Sequence, residues 1–156
     1  MTAIDDLDAR LIRAMAEAPR AGIMELARRL EVARGTVQAR LDKLLARKIV
    51  TGFGPDLSLA ALGYVVTAFT TLDIAQGRLA DVVEHLADIP EVLEVHAITG
   101  PGDLHLRLVA RSNDHLQQVI NRILEVQGIA RTSTVIALSE QVPLRTLPLL
   151  EPATRP

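Results

Sequence analysis

The spacing of apolar residues changes period once along the chain, near residue 64. Before that point it is helical. Leu7, Leu11, Ala14, Met15 and Ala18 recur at steps of three and four, the period of a helix with one buried stripe. Asp5 or Asp6 suits its start, and Pro19 stops it near Ala18. A short second helix fits Ile23–Leu30, with Gly22 as N-cap, Glu25 as half of a capping box, and Leu26, Ala27 and Leu30 turned inward. After a tight break at Glu31-Val32-Ala33, a third helix is expected from Arg34 to Arg47, buried along Val37, Leu41 and Leu44. Gly52, Gly54 and Pro55 end helical structure, so residues 51–63 read as an extended linker with one helical turn at Ser58–Leu62.

From Tyr64 the pattern alternates. "YVVTAFTTLDI" is β-branched and reads as a strand. Leu79, Val82, Val83 and Leu86, at helical spacing, then predict a helix over residues 77–87. Strands come next at 92–99 and 104–110. A helix capped at Ser112 or Asn113 succeeds them, with Leu116, Val119, Ile120, Ile123 and Leu124 inside, then a last strand from Ile129. The order is βαββαβ, and a shift of 37 residues superposes its apolar positions: Val83 on Ile120, Leu86 on Ile123, Val92 on Ile129. A duplicated βαβ unit builds a ferredoxin-like sandwich. The fold class expected is α+β: a helix-turn-helix (winged-helix-like) domain over 1–50 and a sandwich over 64–142. Residues 143–156 hold four prolines and predict an extended or disordered tail.

Charge adds a second division. The net charge of −2 splits into +3 over residues 1–52 and −5 over the rest, with +5 between Arg28 and Lys48. At about 100° per residue, Thr36, Arg40, Lys43 and Arg47 form one row on the third helix, roughly a quarter-turn from the buried stripe, and Arg34 and Gln38 flank its start. Three helices with a cationic third are the layout of a helix-turn-helix unit. Arg and Lys neutralise phosphates, and Arg or Gln near the helix start reaches base edges. Arg28, Arg29, Arg34, Thr36, Gln38, Arg40, Lys43 and Arg47 are therefore the candidate contacts to double-stranded DNA. The plain alternative is a solvated helix face.

Composition closes off other classes. With 49% hydrophobic residues the chain can bury a core. No apolar run approaches the roughly 20 residues of a membrane span, and the acidic start is no secretory signal, so the cytoplasm is expected. Without cysteine there are no disulfides or thiolate metal sites. With no Trp, one Tyr and two Phe, aromatic stacking on single strands is disfavoured. The four histidines, His85, His96, His105 and His115, lack HxH or HxxxH spacing, so neither a metal nor another cofactor is expected. "ITGPGDLHL" at 98–106 reads as a hairpin turn. The residues after Asp103 alternate as a strand, whereas a phosphate cradle needs a helix there. The glycines leave backbone N–H groups within reach of a carboxylate, and Asp103 can pair with an ammonium.

Four segments in order, "LDARLIRAMAEAPRAGIMELARRLEV", "GTVQARLDKLLARKIVTGF", "LG" at 62–63 and "ITGPGD", make residues 4–142 resemble the Lrp/AsnC, or feast/famine, regulators. The resemblance implies a DNA-binding domain and a ferredoxin-like domain that dimerises, assembles further to octamers and senses a small molecule, most commonly an amino acid. It implies no catalysis. The candidate effector residues are Thr99, Gly100, Pro101, Gly102 and Asp103, with Thr132 and Thr134 on the last strand. Two positions depart from the family pattern. Ala33 replaces the usual Ser cap of the reading helix, and Glu31 replaces a Gly, which costs about 1 kcal/mol if the backbone there is left-handed. Two alternatives share parts of this layout. Tetrapyrrole decarboxylases resemble the two-domain pattern, and His96 with Arg107 or Arg131 would then be the reacting groups. A stand-alone amino-acid sensor would keep only the second domain's role.

Overall fold

The computed structural model describes residues 4–150. These form two compact units, one of residues 4–55 with 142–150 and one of residues 56–141. In the first unit, α1 spans Asp6–Glu17, α2 Ile23–Leu30 and α3 Arg34–Ala46. Asp5 caps α1 through a complete capping box: its carboxylate accepts from the Asp8 N–H, and the Asp8 carboxylate accepts from the Asp5 N–H. Leu11, Ala14, Leu26, Ala27, Leu30, Val37, Leu41 and Leu44 make one buried cluster, the stripes expected from helical spacing. Each such leucine contributes about 1.5–3 kcal/mol by leaving water.

The α2–α3 turn has a left-handed residue at Glu31, φ 56° and ψ 41°, the conformation suspected from the missing glycine. A second non-glycine, Lys48 (φ 53°), ends α3, where the Ile49 N–H returns to the Leu44 carbonyl. The segment after Val142 is not wholly extended. Leu147–Leu150 forms one 3-10 turn, and the Arg13 guanidinium donates to the Leu150 carbonyl at 3.1 Å. The rest of the tail, 151–156, lies outside the described residues, as do 1–3.

The second unit is a four-stranded antiparallel sheet with two helices: β1 Val66–Ile74, α4 Leu79–Ala87, β2 Val92–Ala97, β3 Leu104–Ala110, α5 Asn113–Ile123 and β4 Ile129–Ile136, in spatial order β2-β3-β1-β4. Alternation decides its faces. Ala68, Leu72, Leu104, Leu106 and Leu108 bury against Val82, Leu86, Leu116, Val119 and Ile123 of the helices. The other face presents Phe69, Thr71, Glu94, His96, His105 and Arg107, and no helix of this unit covers it. The α5 stripe is narrower than expected, and that of α4 is narrow too. Leu79, Val83 and Leu124 are exposed, because the sheet is met by Val82 and Leu86 on α4 and by the line Leu116, Val119, Ile123 on α5.

Candidate DNA-binding and effector sites

The basic residues of the first unit are not equivalent. Arg34, Thr36 and Lys43 are exposed, and none has a side-chain partner among the described residues. Gly35 and Ala39 are exposed as well, so the outermost line of α3 is smooth over its first two turns, as far as Asp42; a Cβ at Gly35 would meet nothing within 4 Å. Gln38 donates to Asp42 one turn on, at 2.9 Å. Ala33 gives α3 no side-chain cap, and no acidic residue stands in the first turn, so the helix start is electropositive.

The other candidates are engaged. Glu25 accepts from both Arg28 (2.9 Å) and Arg29 (2.8 Å) on α2, and these guanidiniums, Arg29 foremost, hold its carboxyl below the usual range. Arg47 ends α3 half-buried. Arg40, expected on the outward row, turns to the start of α1 instead. One of its terminal nitrogens donates to Asp5 and to Asp8, the latter at 3.0 Å. The expected row of Thr36, Arg40, Lys43 and Arg47 is therefore not one free surface. Its sequence spacing is right, but the neighbouring helix closes over part of it.

In the second unit, Thr99-Gly100-Pro101-Gly102-Asp103 is the turn between β2 and β3. Gly100 and Gly102 have φ of 110° and 91°. A Cβ on Gly102 would lie 2.3 Å from Thr71 Cγ2 and 3.2 Å from Asp73 Oδ1. The turn thus folds onto the open face of the sheet, against Thr71 and Asp73 of β1. Among the described residues nothing engages the N–H groups of Thr99, Gly100 or Gly102. Asp103 is half spent: its Oδ2 accepts the Ile74 N–H at 2.6 Å, and its own N–H donates to the Leu72 carbonyl at 2.8 Å. Asp73, at this edge of the turn, carries a second carboxylate that sequence reading did not single out; its sequence position gave no sign of it.

Thr132 and Thr134 are not brought to this turn within one chain. They pair with Leu72 and Thr70, so they share the helix-covered face, and Thr134 Oγ1 lies 2.8 Å from Thr70 Oγ1. Thr132 Oγ1 is enclosed without a hydrogen bond. The histidines are dispersed. His96 and His105 are cross-strand partners, with His105 stacked on Phe69 at 5.8 Å and bonded to Thr71. His115 and His85 are tied to Glu91 and to the Arg122 carbonyl. No cluster of three or more metal-ligating side chains exists among the described residues.

A three-helix unit with an exposed third helix, joined in one chain to an antiparallel sandwich with a glycine turn, defines a helix-turn-helix regulator with a ligand-binding domain. The AsnC-type helix-turn-helix domain family matches residues 4–45, and the Lrp/AsnC ligand binding domain family matches residues 67–147. The chain belongs to the Lrp/AsnC family of transcriptional regulators. The regulatory protein AsnC of Escherichia coli is 32% identical over 146 residues, covering 92% of this chain and 95% of its own. The structure of E. coli AsnC superposes with a TM-score of 0.86 at 30% identity, over 94% and 99% of the two chains. A feast or famine regulatory protein from M. tuberculosis, complexed with L-methionine, superposes with a TM-score of 0.80 at 27% identity, over 92% and 98%. These relatives are transcriptional regulators, not enzymes, so the decarboxylase alternative is set aside. No helix among the described residues is long and apolar enough to cross a membrane.

Proposed function

We propose that this chain binds specific duplex DNA through α3 and changes that affinity when an amino acid binds near the β2–β3 turn. The observation that carries the DNA reading is the exposed, unpartnered set Arg34, Thr36 and Lys43 around the smooth line of Gly35 and Ala39. Small residues let a helix sink deep into the major groove, and a flanking Arg or Lys then reaches base edges and phosphates. The uncapped N–H groups at the start of α3 suit a phosphate oxygen. Such a regulator acts where its DNA lies, in the cytoplasm.

For the effector, free N–H groups at Thr99, Gly100 and Gly102 suit a carboxylate, and the Asp73 and Asp103 carboxylates suit an ammonium. Both charges together describe a free amino acid. The L-methionine complex of the M. tuberculosis relative supports that class of ligand. Thr132 and Thr134 lie on the helix-covered face, with Thr132 Oγ1 enclosed, and have no part in this reading of the site. The open sheet face, with Phe69 and the exposed Val135, is the surface on which a second copy would pack. A dimer presents two reading helices to half-sites about one helical turn apart. An effector that binds one arrangement better than another shifts DNA affinity by its differential affinity for the two.

Fluorescence anisotropy on a duplex selected from a randomised pool tests the DNA reading. Affinity should fall steeply with salt, and Lys43→Ala should lower the salt slope by roughly 0.9, one phosphate contact. No salt dependence in the unaltered protein would sink the reading. A thermal-shift screen against the free amino acids tests the effector, since a ligand of the native state raises apparent stability; no shift at millimolar concentration would sink it.

A further inference from the structure

We infer that Arg40, with Asp5 and Asp8, is a clasp that sets the reading helix against α1, and that Arg40 is a positioning residue and not a DNA ligand. The inference rests on the DNA reading of α3 given above. Three observations carry it.

The first is geometry. Each carboxylate divides its two oxygens between two tasks. Asp5 Oδ1 caps α1 by accepting the Asp8 N–H at 2.9 Å, and Asp5 Oδ2 accepts from Arg40. Asp8 Oδ2 accepts the Asp5 N–H, and Asp8 Oδ1 accepts from Arg40 at 3.0 Å. The helix start and the guanidinium are thus held by one pair of side chains. Arg40 stands midway along α3, so whatever moves α1 moves the reading helix with it.

Enclosure is the second. Asp8 is 2% exposed, with the Arg40 guanidinium lying against it. Taking Arg40 away to a phosphate would strand this buried carboxylate, the costly way to break a pair. The third observation is charge. Two carboxylates around one guanidinium leave the locus with a net negative charge, which repels a phosphate. The direction of titration agrees: the Arg40 hydrogen bond holds the Asp5 carboxyl below its usual range, and Asp5 and Asp8 push the Arg40 guanidinium further above its own.

The two roles for Arg40 predict different salt slopes for Arg40→Ala and opposite signs for the Asp variants. As a clasp, Arg40→Ala weakens binding to the selected duplex roughly tenfold, within the range of a coupling between sites, and leaves the salt slope unchanged. Asp8→Asn and Asp5→Ser, which retain the Arg40 cation but loosen its hold, weaken it too. They do so more on the selected duplex than on mixed-sequence DNA, because orientation is lost and charge is not. Asp5→Ser retains an oxygen to cap the Asp8 N–H, so α1 still starts normally, and circular dichroism checks that it is folded. If Arg40 contacts phosphate, Arg40→Ala lowers the slope by roughly 0.9, and both Asp variants tighten binding by releasing a cation and removing an anion. Either result overturns the clasp. Failure of the unaltered protein to bind any selected duplex overturns the DNA reading, and the clasp's role with it; a Lys43→Ala slope change beside a slope-changing Arg40→Ala overturns the clasp alone.

Discussion

Each candidate site stands beside a left-handed turn, and the two turns meet the same backbone demand differently. Between α2 and α3 the residue is Glu31, exposed, with φ 56°. Between β2 and β3 it is Gly102, φ 91°, with Thr71 Cγ2 where a Cβ would sit. The first demand is conformational only, and a side chain meets it at a cost of about 1 kcal/mol. The second is conformational and steric at once. A turn whose side chain points to water tolerates substitution; a turn pressed onto a sheet does not. The difference fits the jobs proposed for them. The α2–α3 turn only has to aim a helix, whereas the β2–β3 turn has to hold backbone N–H groups at fixed positions over β1.

The sharpest way to break this comparison is Gly102→Ala. Strain from the left-handed backbone and overlap with Thr71 and Leu72 should together destabilise the protein by about 2–4 kcal/mol. Urea denaturation measures it. The same variant should lose any amino-acid-induced thermal shift. A cost near that of an ordinary surface substitution would mean that the turn can lift off β1, and the contrast with Glu31 would fail.

Legibility in the sequence divides in the same way, between local and long-range causes. The α2 boundaries and the hairpin depend on neighbours within a few residues, and periodicity and turn residues expose them; the left-handed Glu31 is signalled only by the family resemblance, whose pattern has glycine there. Lys48 went unread, although it too stands where a helix ends. The clasp could not be read: Asp5 and Asp8 lie 35 and 32 residues before Arg40, and only the crossing of α1 and α3 brings them together. The faces of Thr132 and Thr134 were likewise decided by pairing with Leu72 and Thr70 across β1, since one residue of register turns a strand over. Spacing on a helix says which residues share a line, not which neighbour that line meets.

Carboxylate–guanidinium contacts extend the comparison to the second unit. Glu91 is buried, accepting from Arg122 and lying 3.3 Å from His115. Burial pushes its carboxyl up, but Arg122, its own backbone N–H and His115 hold it below the usual range. A depressed carboxyl stabilises the fold above its unfolded value, about 4.3, and loses that contribution as pH falls through the folded value. Glu91→Gln should cost about 1–2 kcal/mol at neutral pH, less than a fully enclosed pair because Arg122 is 40% exposed, and should flatten the acid limb of stability against pH. An unchanged acid limb would show that Glu91 titrates alike in both states. Ala33→Ser is next in size. It supplies the absent cap of α3 and should stabilise by about 1 kcal/mol, read as a rise in the denaturation midpoint.

The smallest effect tests the contrast between the two turns most directly. Glu31→Gly removes the left-handed strain of about 1 kcal/mol, but glycine gives back part of it through the freedom of the unfolded chain, roughly 0.5–1 kcal/mol. The net should be a stabilisation of at most about 0.5 kcal/mol. Lys48→Gly should behave alike, since Lys48 is also exposed and left-handed, and the two changes should add if each turn is strained only by its own backbone. The sign is what matters. A destabilised Glu31→Gly would mean that the glutamate contributes through its side chain, beside Arg28 and Arg34 in the surface groove they line. The turn would then be held by charge, as α1 is held to α3, and no longer by backbone geometry alone.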